Sequence, residues 1–312
     1  MNHYNNQVGL LLRLLPFIAR EQIFALHGGS AINLFHFEMT RLSVDIDLTY
    51  IPFSDRDNDL SQIQLGLERI KMRLLNAIPG INVREPLQNQ NEYKLFCSLN
   101  GAEVKIEVNT INRGVFQPVE MRLLCSAAQN AFSTFCEMPV VSVGQLFGGK
   151  IVAALDRQHP RDLFDVNNIL KTFGWSKEIS DGFVFCLLSS KRPIHELLNP
   201  SFIDQHSCFQ SQFSGMTNET FSYEMFETVR TKLIETILSN ISPADSDFII
   251  SFADAKPNWE FKNYSRFPGI QWKLQNLQKL KSQNPDKFQS QHTELKRILF
   301  SSLNSPDIQQ LC

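Results

Sequence analysis

No Cys-x-x-Cys pair joins any of the six cysteines, Cys97, Cys125, Cys136, Cys186, Cys208 and Cys312. They read as reduced thiols of a cytoplasmic protein rather than a disulfide framework. The seven histidines are scattered without metal-ligand spacing. No apolar run reaches the roughly 18 residues that a membrane helix needs. The opening MNHYNNQVGLLLRLLPFIAR has an apolar centre but neither a basic leader nor a small-residue cleavage site. It reads as an amphipathic helix, not a signal peptide. Nor is there a long basic run, and the net charge is −2. That excludes the footprint of a general nucleic-acid binder but leaves room for RNA on a local basic patch made by folding. Internal repeats and low-complexity tracts are absent.

What is present suits a sizeable core: 312 residues, 25 of them phenylalanine. Apolar residues at helical spacing predict a helix over 5–22. A strand follows at 23–27, a short helix from Ser30 to about Phe37, a strand at 44–51 stopped by Pro52, and a long amphipathic helix over 57–76 ended by Pro79-Gly80. Strand-like runs come at 81–84, 93–99 and 103–108, the last two joined by Asn100-Gly101 as a tight hairpin. From about Val141 helical patterns take over, at 143–155, 161–173, 176–189, 223–238, 245–253, 272–280 and 289–303. The segment 256–269, with two prolines and four aromatics, reads as an ordered connector. The expected fold class is α+β: a mixed-sheet domain over 1–140, then an all-helical domain over 141–312.

The chemistry concentrates in Phe24-Ala25-Leu26-His27-Gly28-Gly29-Ser30 followed by Leu42-Ser43-Val44-Asp45-Ile46-Asp47-Leu48. Strand, Gly-Gly-Ser turn, helix and a strand with two carboxylates suit a nucleoside triphosphate. Gly28 and Gly29 let backbone N–H groups approach phosphate, and a helix opening at Ser30 would aim its positive end at the same anion. Ser30 is either an N-cap or a phosphate ligand, or both. Asp45 and Asp47 share one face of their strand and form a natural magnesium site. One ion would bind the triphosphate and a second would activate the attacking hydroxyl. Glu107, in an alternating strand with Lys105, is a third metal carboxylate or a general base; otherwise the two are a surface ion pair. Lys105 could instead neutralise phosphate. His27 reads as a packed strand-end histidine.

A further constellation spans Gly148 to Val166, GGKIVAALDRQHPRDLFDV. Lys150 and Arg157 stand two helical turns apart on one face. Pro160 interrupts the helix, and Asp162 and Asp165 are expected in the first turn of the next, where carboxylates suit the dipole. Cations oriented by carboxylates could grip a triphosphate; capping acids and surface bases are the plain alternative.

The runs GGSAIN…RLSVDIDLTY, VKIEVN and GGKIVAALDRQHPRDLFDV, with the tail KPNW…FPGIQWKLQNLQKL, resemble the AbiEii/AbiGii toxin family of bacterial nucleotidyltransferases. The resemblance implies a polymerase-β-like nucleotidyltransferase domain with a helical C-terminal domain. It also implies a toxin–antitoxin or abortive-infection role with a cognate antitoxin encoded nearby. Its motifs fall on Gly29, Ser30, Asp45 and Asp47, then Lys105 and Glu107, then Lys150, Arg157, Arg161, Asp162 and Asp165. Lysine is expected to grip phosphate and aspartate to act as base or metal ligand, with Asp162 preferred to Asp165 because it directly follows the turn. Glu107 stands where many members carry Asp.

The expectation is therefore a magnesium-dependent nucleotidyltransferase that moves a nucleoside monophosphate from an NTP to RNA, the tRNA 3′ end first among acceptors, with no membrane partner. Basic residues of the helical half, Lys191, Arg192, Lys273 and Lys279, are its candidate RNA contacts. The same chemistry on a protein or small-molecule hydroxyl, and a catalytically idle nucleotide-binding partner, are the alternatives. The paired carboxylates argue against the idle one.

Overall fold

The computed structural model describes residues 2–86 and 92–303; Cys312 lies outside them. The chain forms two compact units, one of residues 1–142 and 213–220, the other of 143–212 and 221–312. Segment 213–220, which the sequence places in the helical half, thus belongs with the sheet. Its main chain pairs with the loop before β2: Leu42 donates to the Met216 carbonyl at 2.7 Å, and the Thr217 hydroxyl donates to the Thr40 carbonyl at 2.7 Å.

The first unit holds α1 (Asn2–Ile18), β1 (Phe24–His27), α2 (Gly28–Ala31) with a π-helical continuation (Ile32–His36), β2 (Asp45–Tyr50), α3 (Arg56–Ala77), β3 (Asn82–Arg84), β4 (Lys94–Leu99), β5 (Ala102–Asn109), β6 (Glu120–Leu123), α4 (Ser126–Phe132) and β7 (Glu137–Val140). The strands make one sheet in the order β3-β4-β5-β2-β1-β7-β6. β2 runs parallel to β5 and β1 parallel to β7; the other neighbours are antiparallel. Asn100 and Gly101 both have positive φ, the geometry of the tight β4–β5 hairpin that the Asn-Gly pair predicts. Phe24 and Leu26 stand opposite Tyr50 and Leu48, and with Ile46 they are buried. α3 covers this face closely: a Cβ on its Gly66 would meet the Phe24 ring at 2.8 Å. Alternation then sends Asp45 and Asp47 to the opposite face, where both are partly exposed.

The sequence reading missed β6, α4 and β7. Each is short, and the strands carry only four residues, too few for a period-two pattern to stand out.

The second unit contains α5 (Val143–Arg157), α6 (Pro160–Phe173), α7 (Lys177–Leu188), α8 (Ile194–Leu198), α9 (His206–Gln212), α10 (Tyr223–Asn240), α11 (Pro243–Ala253), α12 (Pro268–Gln283) and α13 (Pro285–Leu303). Its helix starts follow local chemistry. Ser176, Ser222 and Ser242 each accept a hydrogen bond from a first-turn N–H, and Pro160, Pro243 and Pro268 open helices, where the missing N–H costs nothing. The aromatic connector packs down as its composition suggests: Tyr264 and Phe267 both meet Phe185 edge-on, at centroid separations of 5.3 and 4.8 Å.

Candidate active site

Three adjacent strands align the acidic cluster. Asp47 on β2 stands opposite His27 on β1 and Glu107 on β5, and Asp45 stands opposite Lys105. Cross-strand partners share a face, so these side chains line one patch. Lys105 donates to Glu107 at 2.6 Å. Burial draws its pKa down, but the hydrogen bond to Glu107 and the charges of Glu107, Asp45 and Asp47 outweigh it and raise the value.

The Gly-Gly turn abuts this patch. Gly28 has φ +71°, a conformation that disfavours any side chain, and a Cβ there would run into the Asp47 carboxylate. A Cβ on Gly29 would come 2.7 Å from Arg41 Nη2 and 2.9 Å from Ser43 Oγ. The glycines are what let the turn touch the carboxylate strand on one side and a buried guanidinium on the other. Gly28→Ala is expected to cost about 1–2 kcal/mol through its φ. Because Asp47 would also have to move, transfer should fall by more than the loss of folded protein accounts for, about tenfold or more. A melt beside a rate measurement checks both.

The helix begins at Gly28, two residues earlier than the sequence suggests. His27 is its N-cap, without a side-chain cap bond, and Ser30 lies inside. Ser30 is therefore not the N-cap. Its buried hydroxyl donates to the Asp45 carbonyl and lies 3.0 Å from Ser43 Oγ, tying the turn to the head of β2. These bonds account for Ser30 without a phosphate.

Arg41 is a residue that sequence reasoning passed over. It is buried, its Nη1 donates to the Leu42 carbonyl, and its own N–H donates to Asn33 Oδ1 at 3.2 Å. Asn33 Nδ2 in turn donates to the Gly29 carbonyl at 3.1 Å. This web fixes a cation beside the glycine turn. The available signal was an arginine four residues ahead of Asp45.

Among the described residues no three His, Cys, Asp or Glu side chains gather closely enough to hold a metal ion by themselves. Of the three carboxylates expected to hold metal, Asp45, Asp47 and Glu107, the last has one oxygen bonded to Lys105 at 2.6 Å. Asp45 and Asp47 still fit magnesium, which takes one or two protein carboxylates and fills the rest of its octahedron with water and substrate phosphate.

The second cluster lies within the helical unit. Lys150 on α5 is buried between two buried carboxylates of α6, 2.9 Å from Asp162 Oδ1 and 3.0 Å from Asp165 Oδ2. Arg157, whose side chain is 62% exposed, closes on the other flank of Asp162 through Nε and Nη2 at 2.8–3.1 Å. Asp162 lies in the first turn of α6, whereas Asp165 is a turn further along. Burial alone would push the Asp162 carboxyl up, yet the Lys150 ammonium and Arg157 guanidinium hold it down at about 2. Both its oxygens are engaged by these two cations.

The turn between the helices is itself clamped. Gln158 has φ +50°; its amide donates to the Ser201 carbonyl and accepts from Arg230 Nη1 at 3.1 Å. His159 caps α6 by accepting from the N–H of Arg161; the Arg161 residue is partly exposed. Gly148, for its part, serves packing: a Cβ there would collide with the backbone of Gly182 on α7.

Lys273, expected as an RNA contact, is buried. Its ammonium donates to the carbonyls of Ser190 and Arg192 and to the Ser190 hydroxyl at 2.7–3.0 Å. Burial pulls its pKa down to about 7, against the pull of Asp156. It ties α12 to the chain leaving α7 and cannot face a polyanion. Lys273→Ala should cost about 1–3 kcal/mol by orphaning these acceptors and leave the salt dependence of any RNA binding unchanged. Denaturant melts and salt titrations separate the two effects.

Known proteins bear on this geometry. The family model for the nucleotidyl transferase AbiEii toxin of type IV toxin–antitoxin systems matches residues 9–276. Among solved structures, the nucleotidyltransferase toxin MenT4 of Mycobacterium tuberculosis superimposes with TM-score 0.58 at 14% identity, covering 86% of this chain and 91% of its own. That likeness concerns the fold. A candidate nucleotidyltransferase from H. pylori matches with TM-score 0.44 at 16% identity, over 76% of this chain and 95% of its own, too distant to bear on it. None of the curated proteins compared matches the chain.

Proposed function

Since the chain belongs to the AbiEii nucleotidyltransferase toxin family of type IV toxin–antitoxin systems, we propose that it transfers a nucleoside monophosphate from an NTP to RNA, the tRNA 3′ end in particular, in the bacterial cytoplasm. The observation that carries the reading is the Gly28–Asp47 contact, which sets a glycine turn directly against a pair of carboxylates on one strand face. A phosphate held by the turn's N–H groups would lie beside those carboxylates.

Asp45 and Asp47 would hold magnesium, which when bound supplies charge neutralisation on the triphosphate and lowers the pKa of a coordinated hydroxyl. Gly28 and Gly29 admit the phosphates, and Arg41 supplies a fixed positive charge beside them. Glu107, next in register to Asp47, takes the acceptor's proton, with Lys105 holding that carboxylate in place. In the helical unit Asp162 holds Arg157 in a fixed pose, and Arg157 and Arg161 are the cations offered to an anion. Lys150 acts through Asp162 rather than on phosphate directly. Family membership also supports an antitoxin as the cellular partner. No helix among the described residues is long and apolar enough to cross a membrane.

Incubating the protein with each labelled NTP, Mg²⁺ and total RNA tests the reading. Label that survives protease but not ribonuclease, and that falls steeply as salt rises, supports the RNA acceptor. Label on protein alone, without salt dependence, replaces it with a protein acceptor.

A further inference from the structure

The sheet ends at β6, whose only strand neighbour among the described residues is β7. The register shows which way its main chain points. Leu124 donates to the Cys136 carbonyl, so in this antiparallel pair the residues that exchange bonds are 124, 122 and 120 with 136, 138 and 140. Met121 stands opposite Pro139, which has no N–H to give. The N–H and C=O groups of Met121 and Leu123 therefore point outward, along the open edge.

That edge is short, four residues, but no lysine, proline or bulge interrupts it within Glu120–Leu123. One of its faces is apolar. Met121 and Leu123 are 58% and 54% exposed, and Phe135, on the same face by register, is 64% exposed. The strand's other face alternates Glu120 and Arg122, which pair with each other at 2.7 Å and remain partly exposed.

We infer that β6 is a self-association edge: two copies of the chain pair antiparallel through this strand about a two-fold axis at Met121. Charge selects both the occupant and the register. With Met121 opposite Met121, each Glu120 faces Arg122 of the partner subunit, twice by symmetry; the outward groups of Met121 bond to their symmetry mates, and Leu123 falls opposite Val119, one residue before the strand. The other register that uses the same outward groups sets Arg122 against Arg122 and is disfavoured by like charge. The strand sequence is complementary to itself, which a second copy satisfies without further assumption. Three facing strand residues per copy and a few apolar side chains make a small contact, so the dimer is weak, with dissociation on the order of tens of micromolar.

Sedimentation of the full chain over about 1–200 µM should show a reversible monomer–dimer equilibrium on that scale. Arg122→Glu and Glu120→Arg should each weaken it about tenfold or more, since both symmetric contacts turn repulsive. An equimolar mixture of the two variants should regain dimers, because each then meets its complement. That rescue cannot arise from the pairing of Glu120 and Arg122 within one strand, which neither variant has. A wild-type protein that stays monomeric at about 200 µM overturns the proposal, and this arm needs no variant to fold. A dimer indifferent to the single reversals, or folded variants that do not complement on mixing, overturns it as well.

Discussion

Asp47→Ala is expected to abolish nucleotide transfer, by a factor on the order of a hundred or more, with the fold intact; Asp45→Ala should do the same. The work of these groups is electrostatic, and each removes one of two charges that would hold a cation against the triphosphate. Stability should change little. Asp45 and Asp47 are partly exposed and lie among other carboxylates, so removing one relieves like-charge repulsion as well as forgoing attraction to Lys105. Asp47→Asn, which keeps the shape, should be as inactive as Asp47→Ala. Labelled-NTP transfer beside a thermal melt decides the matter, and a folded Asp47→Ala protein that still transfers label removes the metal assignment.

Lys150→Ala is expected to unfold the helical unit's centre rather than simply slow the chemistry. Its ammonium is buried between Asp162 and Asp165, themselves buried. Removing one partner of a buried pair typically costs about 3–5 kcal/mol, because uncompensated charge stays behind. The sequence pattern alone suggested the opposite balance, a lysine whose loss would hurt turnover more than stability. Arg157→Ala separates the roles. Its side chain is largely exposed, so its loss should cost about 1 kcal/mol or less while impairing transfer. If Lys150→Ala melts like wild type, the buried-pair argument fails.

The pH response follows from the same cluster. The Asp162 carboxyl lies at about 2 in the folded chain, below its ordinary 3.8. A depressed carboxyl contributes stability that is fully present above the unfolded value and is lost as pH falls through the folded one. Acid melts should therefore show this contribution eroding between about pH 4 and 2, and Asp162→Asn should flatten that part of the profile.

Much of this protein was legible before folding because its signals are local. Gly28, Gly29, Asp45 and Asp47 carry their meaning in spacing: a turn that only glycine allows, and two carboxylates put on one face by strand alternation. The Asn100-Gly101 hairpin and the helix α6 that follows the Pro160 break are legible for the same reason, since backbone dihedrals and caps are decided within a few residues. Family membership rests on such motifs kept in order along the chain.

Only tertiary structure decided the rest, because burial and partnership depend on residues far apart in sequence. Arg41 became a candidate through its place beside Gly29. Ser30 changed from a cap to a tie because the Asp45 carbonyl, fifteen residues on, lies within reach of its hydroxyl. Glu107 and Lys105 were visible as a pair, but only the strand register sets Glu107 opposite Asp47. Lys150 and Lys273 look alike on paper as cations for an anionic ligand, yet packing buries both and turns their charge inward. Segment 213–220 joined the sheet unit through long-range bonds, the Leu42 N–H to the Met216 carbonyl and the Thr217 hydroxyl to the Thr40 carbonyl, that no local pattern encodes. The open edge at β6 is likewise a property of strand order, and strand order is set by which long-range pairings the folded chain completes.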